Sequence, residues 1–111
     1  MSAGKTRRSS VKEIGPGGVQ DYFDEQVALH GGMSEPVVRL GYRGFPDRLV
    51  TWPRHGWAKI DFVELKTIGG KLEPWQERDH ERRRKFNCHV RVLWTKAMVD
   101  DYISENWCSV G

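Results

Sequence analysis

With 111 residues and 38% hydrophobic side chains, the chain has the length for one domain around one modest core and leaves no room for internal repeats. No apolar stretch approaches the roughly 18 residues a bilayer crossing needs, and the polar start lacks a secretory hydrophobic region, so a soluble, cytoplasmic protein is expected. Cys88 and Cys108 make neither CxxC nor Cys/His zinc spacing, which argues against a disulfide framework or structural zinc, and the formal charge of +3 lies entirely in Met1 to Gly18.

Residues 1–18 carry Lys5, Arg7, Arg8 and Lys12 against Glu13, are rich in Gly and Ser, and have no periodic apolar positions. They are expected to be a basic, flexible tail, either an arm that grasps nucleic acid or a solvated terminus. Residues 19–111 are then one domain, in which 14 basic and 14 acidic residues balance. Any affinity for a polyanion must come from local patches.

Val19 to His30 places Tyr22, Phe23, Gln26, Val27 and His30 at helical spacing, and Gly31-Gly32 stops the helix. Val37 to Tyr42 reads as the first strand. Asp47 to Trp52 and Trp57 to Lys66 alternate with period two around Pro53-Arg54-His55-Gly56, which predicts a hairpin. Gly69-Gly70 makes a turn, and Pro74 opens an unusually polar helix reaching Phe86. Val90 to Trp94 follows as a buried strand and Lys96 to Ile103 as a closing helix, with Met98, Val99, Tyr102 and Ile103 inward. The order is α-β-β-β-α-β-α, an α/β class chain with an α+β mixed sheet. The five tryptophans are assigned to core and interface area.

The hairpin brings chemistry together. A turn centred between Arg54 and His55 sets Asp47 opposite Phe62 and diagonal to Glu64, and diagonal neighbours on paired strands are about 7 Å apart at their backbones. Two carboxylates could then share one ion. Glu64 and Lys66 lie two apart on one face with Ile60 and Phe62, while Val63 and Leu65 take the other, so the strand reads as covered on both sides. Charges there are costly unless paired or metal-bound. Phosphodiester hydrolysis asks for such groups: Asp47, Glu64 and the Leu65 backbone carbonyl offer hard oxygens to Mg²⁺, and Lys66 offers a cation to developing phosphorane charge. The words are short, and Pro-Asp turns and Glu-x-Lys triplets on solvated strands are common.

From Val19 to Ile103 the chain resembles the virus-type replication-repair nuclease (VRR-NUC) family of the PD-(D/E)XK superfamily. The resemblance rests on Gly44-x-Pro46-Asp47-Arg48-Leu49-Val50, Phe62-Val63-Glu64-Leu65-Lys66, Gly70-x-Leu72-x-Pro74-x-Gln76-x-x-x-His80 and Val90-x-Val92. It implies a restriction-endonuclease-like core and Mg²⁺- or Mn²⁺-dependent cleavage of DNA, often branched or junction DNA, by a homodimer in the stand-alone viral and prophage type. It also makes Gln76 a water- or phosphate-positioning residue.

One position departs from the family. Its first helix usually carries a metal-approaching Glu in a word like Val-Glu-x-Tyr, where this chain has Val19-Gln20-Asp21-Tyr22. Gln20 can orient a metal-bound water but supplies no charge and accepts no proton as a base. Asp24, one turn along the same face, is the substitute, and Asp21 is worse placed. If neither serves, the chain is a catalytically weak DNA-binding subunit; a third reading is a structural interaction module. DNA contacts are expected from Arg43, Arg48, Lys71, His80, Arg82, Arg83, Arg84 and Lys85, with Lys5, Arg7 and Arg8 from the tail. His80, four residues from Gln76, reads either as a satisfied structural group or as a titrating group near phosphate. Arg82 to Lys85 have the alternative of a solvated face paired with Glu77, Asp79 and Glu81. Arg83 stands where the family favours an apolar residue, which suggests a surface for DNA or a second subunit.

Overall fold

The computed structural model of the chain describes residues 18–38, 40–41, 44–67 and 69–107. Its elements are α1 (Val19–Leu29), β1 (Met33–Pro36), β2 (Arg48–Arg54), β3 (Trp57–Leu65), α2 (Pro74–Lys85), β4 (His89–Leu93) and α3 (Lys96–Asn106). The order is the expected one, a mixed α+β fold. The tail with Lys5, Arg7 and Arg8 lies outside the described residues, as does Arg43. No helix among the described residues is long and apolar enough to cross a membrane.

The sheet runs β1-β2-β3-β4, with β1, β2 and β3 antiparallel and β4 parallel to β3. A parallel join needs a crossover, and α2 supplies it. On the opposite face α1 presents Val19, Phe23 and Val27, four residues apart, and α3 presents Val99, Tyr102 and Ile103. Both pack on Val50, Trp52, Val63, Leu65 and Leu93. Burying each large side chain contributes about 1.5 to 3 kcal/mol, which makes this layer the main source of stability.

That face also carries a buried polar network around Asp61, which is 0% exposed. The Tyr102 hydroxyl donates to Asp61 Oδ2 at 2.5 Å, Trp52 Nε1 donates to the Tyr102 oxygen at 2.9 Å, and Lys59 Nζ donates to Asp61 Oδ2 at 3.2 Å and to Asn106 Oδ1 at 2.5 Å. Burial and the Asp61 carboxylate push the Tyr102 phenol far above its ordinary range. Of the tryptophans expected in core or interface, Trp52 is core, whereas Trp57 and Trp107 are 62% and 50% exposed.

Two expectations need correction. The first strand is Met33–Pro36, not Val37 to Tyr42; Val38 and Leu40 are 84% and 93% exposed. β1 is an edge strand whose ladder to β2 is made by backbone groups, so neither its composition nor Pro36 announces it. The hairpin register is also shifted: Arg48 faces Val63 and Leu49 faces Phe62, because the turn is His55-Gly56, with Gly56 at φ +84°. Pro53 therefore lies inside β2, paired with Ala58, beyond Thr51 where β1 ends and only one neighbour needs hydrogen bonds. Helix and strand ends elsewhere match expectation or differ by one or two residues, except that α3 runs three residues further, to Asn106.

Candidate active site

β3 alternates its side chains between the two faces. Asp61, Val63 and Leu65 enter the core under α1 and α3, while Phe62 and Glu64 face α2. Continuing the β2–β3 register one residue past Arg48 brings Asp47 level with Glu64, closer than the diagonal the sequence suggested. The Leu65 amide donates to Asp47 Oδ2 at 3.0 Å and fixes that carboxylate beside the strand. The contribution of Leu65 resolved here is thus its N–H, while its side chain is core.

Glu64 is 3% exposed and sits at the centre of the site. Its Oε2 accepts a hydrogen bond from Gln76 Nε2 at 3.1 Å and lies 3.7 Å from Lys66 Nζ. Its Oε1 is buried without a hydrogen-bond partner, 3.8 Å from His80 Nε2. Burial and the neighbouring Glu64 carboxylate push the Asp47 carboxyl up to about 6, against the opposing pull of the Leu65 amide and Arg48. Two carboxylates this close repel unless a proton or cation lies between them.

Gln76 does two jobs. It is the third residue of α2, where its Oε1 accepts from the Glu73 backbone amide at 2.9 Å as half of a capping box, leaving its amide group for Glu64. Helix capping and carboxylate orientation are thereby joined in one side chain, and the partner that Gln76 holds is Glu64. His80, expected as either a satisfied structural group or a phosphate neighbour, is not a satisfied one. It is 0% exposed, and neither ring nitrogen makes a hydrogen bond.

On the first helix the expected substitute, Asp24, is already engaged. Asp24 accepts from Arg48 Nε at 2.9 Å, Arg48 Nη2 at 3.0 Å and Ser34 Oγ at 2.8 Å, so it ties α1 to β1 and β2 and is not placed as a substitute metal ligand. The same fork removes Arg48 from the expected DNA contacts, its side chain being 12% exposed. Gln20 is half-buried in the first turn of α1, and Asp21 is exposed.

The basic run on α2 divides. Arg83 turns inward: Nε and Nη2 reach Asp79 at 2.8 and 3.3 Å, and its guanidinium lies 4.1 Å from the Phe45 ring centre and 4.9 Å from that of Phe62. It is not an outward contact surface. Arg84 donates to the Val90 carbonyl at 2.9 Å, while Arg82 and Lys85 are exposed, Arg82 pairing with Asp79 at 3.3 Å; Lys71 is exposed as well. Glu77, His80, Glu81, Arg84, Lys85 and Leu72 line an open cleft of about 550 Å³ on this side of the molecule. The sequence did not announce Asp79 or Phe45 as part of the site. The signal was the four-residue spacing of Asp79 and Arg83 with an aromatic directly before Pro46-Asp47.

Among the described residues no group of three or more His, Cys, Asp or Glu is arranged to hold a metal ion. The donor set is instead two carboxylates, Asp47 and Glu64, one of whose oxygens is buried without a hydrogen bond. That set fits a hard divalent ion such as Mg²⁺, which takes one or two carboxylates and fills its octahedron with water.

No family model matches the chain. It is 41% identical over 75 residues, 68% of this chain and 77% of the other, to "Putative nuclease p44" of Acyrthosiphon pisum secondary endosymbiont phage 1. It is also similar to a solved structure described as a VRR_NUC domain, with TM-score 0.70 and 38% identity, covering 78% of this chain and 90% of that one.

Proposed function

The chain belongs to the VRR-NUC family of nucleases, and from that premise we propose that it is a metal-dependent endonuclease hydrolysing phosphodiester bonds in branched or junction DNA. The observation that carries this reading is the buried Glu64 carboxylate, with one oxygen lacking a hydrogen bond, beside an Asp47 whose carboxyl is pushed up to about 6. A cation relieves both conditions at once. Asp47 and Glu64 would hold Mg²⁺ or Mn²⁺, with the Leu65 carbonyl as a further oxygen and Gln20 acting through a water, and the ion would supply charge for the phosphate oxygens and a more acidic water.

The chain's own groups do the rest. Water attacks phosphorus and gives up a proton to solvent, a new P–O bond forms, and the ester oxygen leaves with the bonding pair and takes a proton from solvent. Lys66, whose ammonium lies 3.7 Å from Glu64, would neutralise the charge that accumulates on phosphorus-bound oxygen. Gln76 holds the Glu64 carboxylate in one orientation. Arg82, Arg84, Lys85 and Lys71, all exposed, would meet phosphates further along the duplex, with Arg43 and the tail's Lys5, Arg7 and Arg8 as contacts outside the described residues. A homodimer would match the symmetric arms of a junction.

A second reading has a specific observation behind it. Asp24, the expected stand-in for the glutamate that Gln20 replaces, is held by Arg48 and Ser34, which favours a catalytically weak DNA-binding subunit. Incubating the chain with linear duplex, single-stranded and four-way-junction DNA, in Mg²⁺, Mn²⁺ or EDTA, separates the two. The nuclease reading expects metal-dependent products that disappear in Glu64→Ala and Lys66→Ala. Salt-sensitive binding without cleavage supports the weak subunit. If both variants cut as well as the parent, the site assignment is wrong.

A further inference from the structure

We infer that Arg83 is a positioning residue for the metal site, clamping α2 onto both carboxylate-bearing segments, and not a DNA contact; the inference rests on the nuclease reading above. The clamp has three parts. Asp79, 3% exposed, receives the Arg83 guanidinium in a two-bond fork at 2.8 and 3.3 Å on the same helix. The flat guanidinium then lies over two rings, Phe45 at 4.1 Å and Phe62 at 4.9 Å, which meet each other edge-on with centres 6.0 Å apart. Phe45 is two residues before Asp47, and Phe62 is two residues before Glu64 on the same face of β3. One side chain on α2 therefore touches both segments that carry the carboxylates.

The backbone supports the same contact. Gly44 has φ +95°, and a Cβ there would meet the Trp75 carbonyl oxygen at 2.6 Å and Asp79 Cβ at 3.3 Å, so the loop before Asp47 lies directly on α2. α2 also brings Gln76 to Glu64. Shifting α2 against the sheet would move the Gln76 hydrogen bond, the Asp47 loop and the Phe62 end of β3 together. Arginine is the side chain for this task, because a planar cation stacks on aromatic faces and forks to a carboxylate, whereas an ammonium does neither well. With its side chain 16% exposed and two guanidinium nitrogens on Asp79, Arg83 has little left for a phosphate.

The test uses the full chain and three variants: Arg83→Lys, the double Asp79→Asn/Arg83→Gln that leaves no lone buried charge, and Phe45→Leu. Phe45→Leu keeps the fork and loses one ring, so it reports even if the others do not fold. Mn²⁺ affinity is read without DNA from the spin resonance of free Mn²⁺, junction-DNA affinity in EDTA across a salt series, and kcat and KM by cleavage. We expect Mn²⁺ affinity and kcat to fall about tenfold in Arg83→Lys and in the double variant and about threefold in Phe45→Leu, with DNA affinity and KM within twofold of the parent. Weakened DNA binding with a shallower salt slope at unchanged Mn²⁺ affinity would make Arg83 a phosphate contact and overturn the inference. So would parent-like Mn²⁺ affinity and kcat in the folded variants, which leave the nuclease reading intact. A parent that binds no Mn²⁺ sinks both.

Discussion

Replacing Asp47 with Asn should stabilise the metal-free protein at neutral pH. Asp47 is half-buried beside Glu64, and its carboxyl is pushed from 3.8 up to about 6. A group whose folded-state pKa lies above its unfolded value favours folding in its protonated form. Its contribution is fully present below about pH 4 and is lost as pH rises through about 6. Two pH units at about 1.36 kcal/mol each would be nearly 3 kcal/mol without solvent, and partial exposure reduces this to about 1 to 1.5 kcal/mol. Asparagine keeps an oxygen for the Leu65 amide and offers an N–H to Glu64 where the parent has a second carboxylate. Urea unfolding in EDTA between pH 4 and pH 8 checks the difference. At pH 7.5 the variant should be more stable by about 1 kcal/mol, a rise in Tm of roughly 4 to 8 °C, and the gap should close toward pH 4. Saturating Mn²⁺ should raise the parent and leave the variant nearly unmoved, since a ligand stabilises only the state that binds it. A variant no more stable than the parent at pH 7.5, or a gap independent of pH, refutes the carboxylate repulsion.

Gly44→Ala should cost about 2 kcal/mol or more, because its φ of +95° and the Trp75 carbonyl at 2.6 Å leave no room for a Cβ; thermal unfolding reads it, and a neutral result would mean that the loop before Asp47 moves freely. Tyr102→Phe removes the donor to Asp61 and the acceptor of the Trp52 indole, for an expected loss of about 2 to 4 kcal/mol in urea unfolding. Gln20→Glu should cleave junction DNA at least as fast as the parent in Mn²⁺, and no gain in rate would mean that another group does the work of the usual glutamate.

The grouping of Asp47, Glu64 and Lys66 was legible in the chain, although the expected hairpin register was off by two residues. A strand repeats its faces every two residues, so a slip of two keeps every side chain on its side of the sheet, while a slip of one would have buried Glu64 among Val50 and Trp52. The helices were legible for a related reason: Tyr22, Phe23, Gln26 and Val27, or Val99, Tyr102 and Ile103, recur at helical spacing, and Gly31 and Pro74 mark boundaries. β1 was not, because a four-residue edge strand is made by backbone pairing with β2, and no side-chain period records it.

Partner choice belonged to the tertiary structure. Arg48 and Arg83 carry the same charge and both lie near acidic words, and nothing local says that one forks to Asp24, 24 residues away, while the other stacks on Phe45 and Phe62. Periodicity tells which side of an element a residue occupies, whereas the reach of a long side chain depends on which element packs there. The sequence by itself thus determined the order of the elements, the two faces of β3 and the grouping of Asp47 and Lys66 with Glu64 on one of them. Only the packed structure decided that Asp24 is a tie, that His80 is buried behind Glu64, and that Gln76 orients a carboxylate. Each of those follows from the distance at which α1 and α2 settle against the sheet, which one-dimensional patterning does not encode.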